Sequence, residues 1–173
     1  DGDRLWVHVA DVAALVAPDS PADAEARARG ATLYLPEIVS PMLPDEATAR
    51  LGLGMAEVSP ALSFGLNLDG DGAVTDVEIA PSWVRVQRLS YEEVDARLDA
   101  RPFRDLYELA QRHQARRRTS GAVFIDLPEV KMRVIEGRAE IRPLPRSRSR
   151  LLVSEAMVMA GEAAARFALK RGL

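Results

Sequence analysis

The most oxygen-rich stretch of the sequence lies between residues 67 and 78. Residues 67–72 read NLDGDG and Glu78 follows, which nearly matches the calcium-binding loop of EF-hand proteins. Such a loop needs a helix on each side, whereas residues 62–68 and those from Val77 onward alternate as strands do. The first ligand position also holds Asn rather than Asp. The pattern favours a β-hairpin with an exposed turn, and calcium binding is the alternative.

A second kind of chemistry, the binding of single-stranded nucleic acid, needs aromatic faces for bases and cations for phosphates. Aromatic residues make up only 5% of the chain, so each one is informative. Arginines cluster in residues 112–118 and 142–150, although the net charge of −3 argues against a broadly basic binding surface. Each cluster is either a solvated face or a local path for phosphates, and charge alone does not decide.

His8 and Asp11 stand at the end of the apolar run 5–10. A single His in such a place is usually a hydrogen-bonded structural residue, and Asp11 is suited to capping the turn that follows. The absence of cysteine excludes disulfides and thiolate metal sites and fits a reducing interior, so we expect a cytoplasmic protein. No apolar run approaches the roughly 18 residues of a membrane span, so none is predicted.

The elements that position these side chains mix strands and helices without regular βαβ alternation. Strands are predicted at 5–10, 32–35 and 122–125, with hairpins around 69–72 and 136–137. Helices are predicted at 21–30, 44–51, from Ser90 as the N-cap, at 102–118, and from 149 onward. An apolar stripe on the last helix comprises Leu152, Ala156, Met159, Ala163 and Phe167. The predicted class is α+β, a mixed or antiparallel sheet with surrounding helices.

Four segments, in order along almost the whole chain, resemble the RNB catalytic domain of the ribonuclease II/R family of exoribonucleases. They are VHVADV at 7–12; EARARG at 25–30 with YLP at 34–36 and PMLP at 41–44; SGAVF at 120–124 with PEVK at 128–131; and RLLVSEAM at 150–157. The PMLP stretch is the most distinctive of these. The order and spacing of the segments make the resemblance specific.

The resemblance implies processive hydrolysis of single-stranded RNA from its 3′ end to nucleoside 5′-monophosphates. It also implies two-metal chemistry, with aspartates holding Mg²⁺ on the scissile phosphate. In the family these aspartates precede the strand that resembles residues 7–12, and an essential arginine lies well downstream. We therefore expect residues 1–173 to be a partial RNB domain, inactive alone, and we assign no metal ligand to Asp1 or Asp3. Accessory RNA-binding domains are expected in the same parent chain.

The same resemblance assigns RNA-binding roles to three aromatic residues. Tyr34 and Phe124 align with aromatic residues that clamp the nucleotides near the 3′ end, and Tyr91 aligns with a Tyr of the 3′ ribose pocket. Each has a structural alternative: a strand Tyr packed on the core for Tyr34, a buried strand residue for Phe124, and a first-turn helix residue for Tyr91.

Glu155 is the surviving member of a Glu-Glu pair in the family, whose first position is Ser154 here. In the family the first Glu of that pair helps to recognise the ribose together with the Tyr at the position of Tyr91, so the departure at Ser154 bears on discrimination against DNA, which lacks the 2′-hydroxyl. The alternative for Glu155 is an ion pair with a neighbouring Arg. His8 is a further candidate RNA contact, and Asp11 is a candidate brace for the neighbouring metal site.

Two functions remain open on the sequence. The first is a Mg²⁺-dependent exoribonuclease segment that binds the 3′ end of single-stranded RNA. The second is an RNB-like module that binds RNA but has lost hydrolysis. A D-x-D-D motif just before Asp1 would indicate the enzyme.

Overall fold

The computed structural model describes residues 4–125, 127, 130–144 and 147–173. Its elements alternate irregularly between strands and helices, which confirms the α+β prediction. In chain order they are β1 (Arg4–Ala10), α1 (Pro21–Arg29), β2 (Leu33–Tyr34), β3 (Val39–Ser40), α2 (Asp45–Leu51), β4 (Ser59–Leu68), β5 (Val74–Val84), α3 (Tyr91–Asp95), α4 (Phe103–Thr119), β6 (Val130–Ile135), β7 (Arg138–Pro143) and α5 (Arg150–Leu169).

The main sheet has three antiparallel strands in the order β1-β4-β5. Its register places Val7 opposite Phe64, and Phe64 opposite Ile79, so every second residue shares one apolar face. α5 packs on this face because Met159, Ala160 and Ala163 are small or flexible enough to approach the strands closely. The buried cluster comprises Phe64, Leu66, Val74, Met159, Ala160 and Ala163. Of the apolar stripe predicted on α5, the central residues Met159 and Ala163 are confirmed as buried.

The hairpin predicted around residues 69–72 is confirmed. The Oδ1 atom of Asp69 accepts hydrogen bonds from the backbone N–H groups of Asp71 (3.0 Å) and Ala73 (2.8 Å), so this carboxylate closes the turn. The flanking segments are the strands β4 and β5 rather than the two helices of an EF-hand. The hairpin predicted around 136–137 is confirmed as β6 and β7.

Two helix ends carry well-formed caps, and the Ser90 cap is as predicted. Ser90 caps α3 through a reciprocal capping box with Glu93, and Gly30 closes α1 in the left-handed conformation. The strand predicted at 122–125 is wrong, because these residues have no partner strand among the described residues and leave α4 as an irregular segment. Residues 128, 129 and 146, named in the sequence patterns above, lie outside the described residues, as do Asp1 and Asp3.

Gly72 joins the hairpin to α4, and we predict that Gly72→Ala destabilises the fold. Its φ is +78°, and an added Cβ would lie 3.0 Å from the backbone nitrogen of His113. A non-glycine residue in this conformation costs about 1–3 kcal/mol, and the tight approach adds to that cost. The free energy of unfolding should fall accordingly in urea titrations. Gly70→Ala is the matched control, since a Cβ there meets nothing within 4 Å; equal losses for both variants would contradict the prediction.

Candidate nucleic-acid interface

Tyr34 presents its ring to solvent at the rim of a cleft. The side chain is 81% exposed on β2, which pairs only briefly with β3, so it is not packed in the core. The cleft of about 590 Å³ lies between α1, α2, the β2–β3 pair and the turn after β1. Its lining residues are Val12, Val16, Asp23, Ala26, Thr32, Tyr34, Val39, Pro41, Met42, Leu43, Asp45 and Thr48. An exposed aromatic face beside an apolar cleft suits a stacked base.

The polar groups of this cleft are carboxylates and hydroxyls. The Arg27 guanidinium, which donates to Asp23 at 2.8 Å, and the backbone N–H of Asp19 hold the pKa of Asp23 below its ordinary value of 3.8. Asp23 is therefore an anion at neutral pH. Together with Asp45 it would accept hydrogen bonds from sugar hydroxyls and repel a phosphate.

Phe124 lies just beyond the C-terminus of α4 and is half-buried. The helix ends in a Schellman motif, in which the N–H of Ala122 donates to the carbonyl of Arg117 (3.0 Å) and the N–H of Gly121 donates to that of Arg118 (3.0 Å). The guanidinium carbons of Arg117 and Arg118 lie 5.1 and 4.4 Å from the centroid of the Phe124 ring. These are cation–π distances.

Tyr91 is the first residue of α3, as predicted, and it is 37% exposed. The Arg150 guanidinium lies 4.9 Å from its ring centroid. The position of α3 is fixed by Ser149, which precedes α5: its N–H donates to Asp95 Oδ1 (2.7 Å) and its hydroxyl donates to the carbonyl of Tyr91 (3.1 Å). The Tyr91 backbone is therefore tied to the start of α5.

The Asp95 carboxylate acts as a cap for α5 from outside that helix. Burial raises the pKa of Asp95, but hydrogen bonds from the Ser149 side chain and backbone, from the Ser147 side chain and from the Arg148 backbone outweigh it. The net result is a pKa below the ordinary value of 3.8. A carboxylate at a helix N-terminus is stabilised by the free N–H groups there. Ionised Asp95 thus holds α3 and α5 together.

Glu155 is 2% exposed between α4 and α5. Its Oε2 atom lies 2.6 Å from Nδ1 of His113, and its Oε1 atom accepts a hydrogen bond from Nη1 of Arg117 at 2.9 Å. The carboxylate faces α4 rather than solvent, so the geometry favours the ion pair with a neighbouring Arg over direct contact with RNA. Ser154, by contrast, is exposed, and its hydroxyl donates to the carbonyl of Leu151 (3.1 Å).

His113 is a residue that the sequence interpretation missed. It is fully buried and joins Glu155 to the backbone near Gly72. The only sequence signal was a His inside a charged helix, a position that is normally solvated. The arginine cluster around it is divided: Arg116 pairs with Glu162 at 3.2 Å, whereas Arg117 pairs with Glu155.

His8 and Asp11 lie near the end of β1. His8 is exposed, with its Nδ1 2.6 Å from the Ser63 hydroxyl and its ring stacked with Trp6 at a centroid distance of 6.3 Å. This arrangement fits a hydrogen-bonded structural histidine. Asp11 begins the turn before residues 12–14, but its side chain makes no capping hydrogen bond, so the predicted side-chain cap is wrong. The backbone N–H of Asp11 instead donates to the carbonyl of Pro60 (3.2 Å).

The candidate residues fall into two groups. Tyr34 and Asp11 belong to one, because Val12, adjacent to Asp11, lines the Tyr34 cleft. Glu155 and Tyr91 belong to the other, at α5 and the residue before it, and Phe124 joins them through Arg117 of α4, which binds Glu155. His8 stands on the sheet. Within the described ranges, no group of three or more His, Cys, Asp or Glu side chains is placed to hold a metal ion.

The sequence profile of the RNB domain family matches residues 1–173. An uncharacterized ribonuclease from Synechocystis sp. is 41% identical, over 99% of this chain and 27% of its own length. Ribonuclease R from Thermotoga maritima is 33% identical, over 93% of this chain and 25% of its own. The chain thus spans about a quarter of the length of these relatives.

Solved structures share the fold. The apo form of Mycoplasma genitalium RNase R matches 98% of this chain and 29% of its own, with a TM-score of 0.87 at 24% identity. The same enzyme in complex with double-stranded RNA matches with a TM-score of 0.85 at 23% identity, over 98% of this chain and 33% of its own.

In the part of the chain that the structure describes, no helix is long and apolar enough to span a bilayer.

The capping role of Asp95 predicts a pH-dependent stability contribution. Because its pKa is lower in the folded protein, this contribution is complete above the unfolded value near 3.8 and is lost as pH falls through the folded pKa. Asp95→Asn should therefore lower the Tm at pH 7, and the gap from wild type should close as pH falls below 3.8. Asp99→Asn, an exposed neighbour, is the control; a gap that stays constant down to pH 2.5 would refute the role.

Proposed function

The chain belongs to the RNB domain family, and on that basis we propose that it is part of the catalytic domain of a 3′→5′ exoribonuclease. The substrate is single-stranded RNA, which the full-length protein hydrolyses processively to nucleoside 5′-monophosphates. Relatives that are named ribonucleases match almost the whole of this chain, which supports the reaction class. The complexes of Mycoplasma genitalium RNase R with RNA support RNA as the class of substrate.

The observation that carries the proposal is the exposed Tyr34 ring beside its cleft. A single exposed aromatic residue needs no explanation by itself, but this ring stands beside an apolar cleft in which a base could stack on it. We assign it to stacking on a base near the 3′ end, with the carboxylates of Asp23 and Asp45 accepting hydrogen bonds from ribose hydroxyls. Phe124 is assigned as the second stacking residue, and Tyr91 and Ser154 are assigned to the ribose.

The metal is Mg²⁺, and its ligands are not found in the described residues, which hold no suitable cluster. We assign them to aspartates elsewhere in the full-length protein, with Asp11 at the end of β1 as a neighbour. The residues described above therefore bind and orient RNA, and no hydrolytic step is assigned to them. When bound, the ion would activate water and stabilise charge on the scissile phosphate.

A second candidate function is RNA binding without hydrolysis. The exposed ring of Tyr34 would serve this function equally, because base stacking needs no metal ion. The test is to incubate the full-length protein with 5′-labelled single-stranded RNA and Mg²⁺, with EDTA as the control. Metal-dependent shortening to a small fixed product supports the exoribonuclease. Binding without shortening supports the second function, and neither binding nor shortening overturns both.

We predict that Tyr34→Ala leaves the fold intact and changes the length of the final resistant oligonucleotide. Loss of one base-stacking contact costs about 1–3 kcal/mol. The shortening RNA should therefore dissociate from the protein at a greater length, so that the final oligonucleotide is longer. Denaturing gels of the end product measure this length. Tyr34→Phe, which keeps the ring, is the control. An unchanged product with Tyr34→Ala would remove this residue from the RNA path.

We predict that Ser154→Glu sharpens the preference for RNA over DNA. A carboxylate at this exposed position would accept a hydrogen bond from the 2′-hydroxyl, which DNA lacks. The dissociation constant for DNA divided by that for a matched RNA oligomer, both measured in EDTA, should rise by about 3- to 10-fold, as for one net hydrogen bond of about 0.5–1.5 kcal/mol. Ser154→Gln tests for a size effect. If the ratio does not move with Glu, the assignment of this position is incorrect.

A further inference from the structure

We propose that Arg117 is a positioning residue for Phe124. Held by Glu155, its guanidinium sets the orientation of the ring that stacks on the RNA base. The inference rests on the stacking role proposed above for Phe124, and it adds residues that act on RNA only through that ring.

The backbone alone does not orient Phe124. The Schellman motif fixes the chain as far as Ala122, and residues 122–125 join no strand among the described residues. The ring is only half-buried, so its rotamer is not determined by close packing in the core. Its orientation must therefore come from the groups that contact its faces, which include the two guanidinium groups.

The two guanidinium groups differ in how they are held. Arg117 donates from Nη1 to both carboxylate oxygens of Glu155, at 2.9 and 3.1 Å, and its side chain is 27% exposed. Arg118 forms no ion pair with any described residue, and it lies on the exposed face of α4. Among the described residues, a carboxylate anchors Arg117 but not Arg118, so we assign the orientation of the ring to Arg117.

The anchor itself is rigid. Glu155 lies on α5, is almost completely buried, and is held on its other side by His113 of α4 at 2.6 Å. A buried carboxylate that loses a partner is strongly destabilised, which keeps the pair closed. Because a guanidinium is planar, its edge can bind the carboxylate while its face covers an aromatic ring. The Arg117 side chain thus connects the buried pair of Glu155 and His113 to the Phe124 ring.

This geometry predicts that Arg117 contributes little as a phosphate ligand. Its charge is already paired with that of Glu155, and its Nη1 group donates to both oxygens of that buried carboxylate. Substituting it should therefore weaken RNA binding only while Phe124 is present. Substituting a residue that binds phosphate directly would weaken RNA binding whether or not the Phe124 ring is present.

The test is a double-mutant cycle in the full-length protein, with Arg117→Lys, Phe124→Ala and the double variant. Lysine keeps the charge for Glu155 but lacks the planar face. Dissociation constants for 5′-labelled single-stranded RNA are measured by fluorescence anisotropy in EDTA, which prevents hydrolysis. We expect Arg117→Lys to weaken binding about 3- to 10-fold in the Phe124 background, as for partial loss of stacking, and to have no further effect in the Phe124→Ala background.

Arg97→Lys is the matched control, since Arg97 lies 5.4 Å from the centroid of Phe103 and outside the proposed RNA path. It should leave RNA affinity unchanged. Glu155→Gln is a second route to the same effect, because it removes the charge that anchors Arg117 while retaining the shape of the side chain. Melting temperatures identify any variant that binds weakly because it is unfolded.

The outcomes separate the two proposals. If Phe124→Ala leaves RNA affinity unchanged, the stacking role of Phe124 fails. If Phe124→Ala weakens binding but Arg117→Lys has no effect, or has an equal effect in both backgrounds, the positioning role is overturned and the stacking role stands. Loss of the Arg117→Lys effect in the Phe124→Ala background supports positioning.

Discussion

The buried carboxylate of Glu155 is the constraint on which the arrangement of α4 and α5 depends. A charge in the interior is tolerated only when it is paired and hydrogen-bonded, so His113 and Arg117 must both face it. Both belong to α4, at positions four residues apart, which share one face of a helix. The carboxylate therefore fixes both the rotation and the height of α4 against α5.

From that constraint the surrounding elements follow. The tip of the β4–β5 hairpin packs directly on α4, so closely that a Cβ on Gly72 would lie 3.0 Å from the backbone nitrogen of His113. At the start of α5, Asp95 and Ser149 hold α3 in place. The sheet, α3 and α4 thus all take their positions from α5, whose apolar face covers the sheet. The candidate RNA-binding residues near this helix are carried on a rigid support.

Local signals in the sequence were sufficient for much of this fold. Ser90 with Glu93 marked a helix start, and Glu136-Gly137 marked a hairpin, because the interactions lie within a few residues. The pairing of Glu155 with His113 spans 42 residues, and nothing local indicated it. The strand predicted around Phe124 failed for a related reason: an apolar run becomes a strand only if a partner strand is available. Tyr34 was recognised through a resemblance, whereas its exposure depends on how β2 meets α1 and α2.

Two aromatic faces on the proposed RNA path already carry a guanidinium group. Arg118 lies over Phe124 and Arg150 lies over Tyr91, with centroid distances of 4.4 and 4.9 Å. At exposed sites such a contact is worth about 0.5–1 kcal/mol, whereas stacking of a base on an aromatic side chain is worth about 1–3 kcal/mol. A base can therefore displace an arginine from a ring face with a net gain. At Phe124 the displaced group would be that of Arg118, because Arg117 is bound to Glu155.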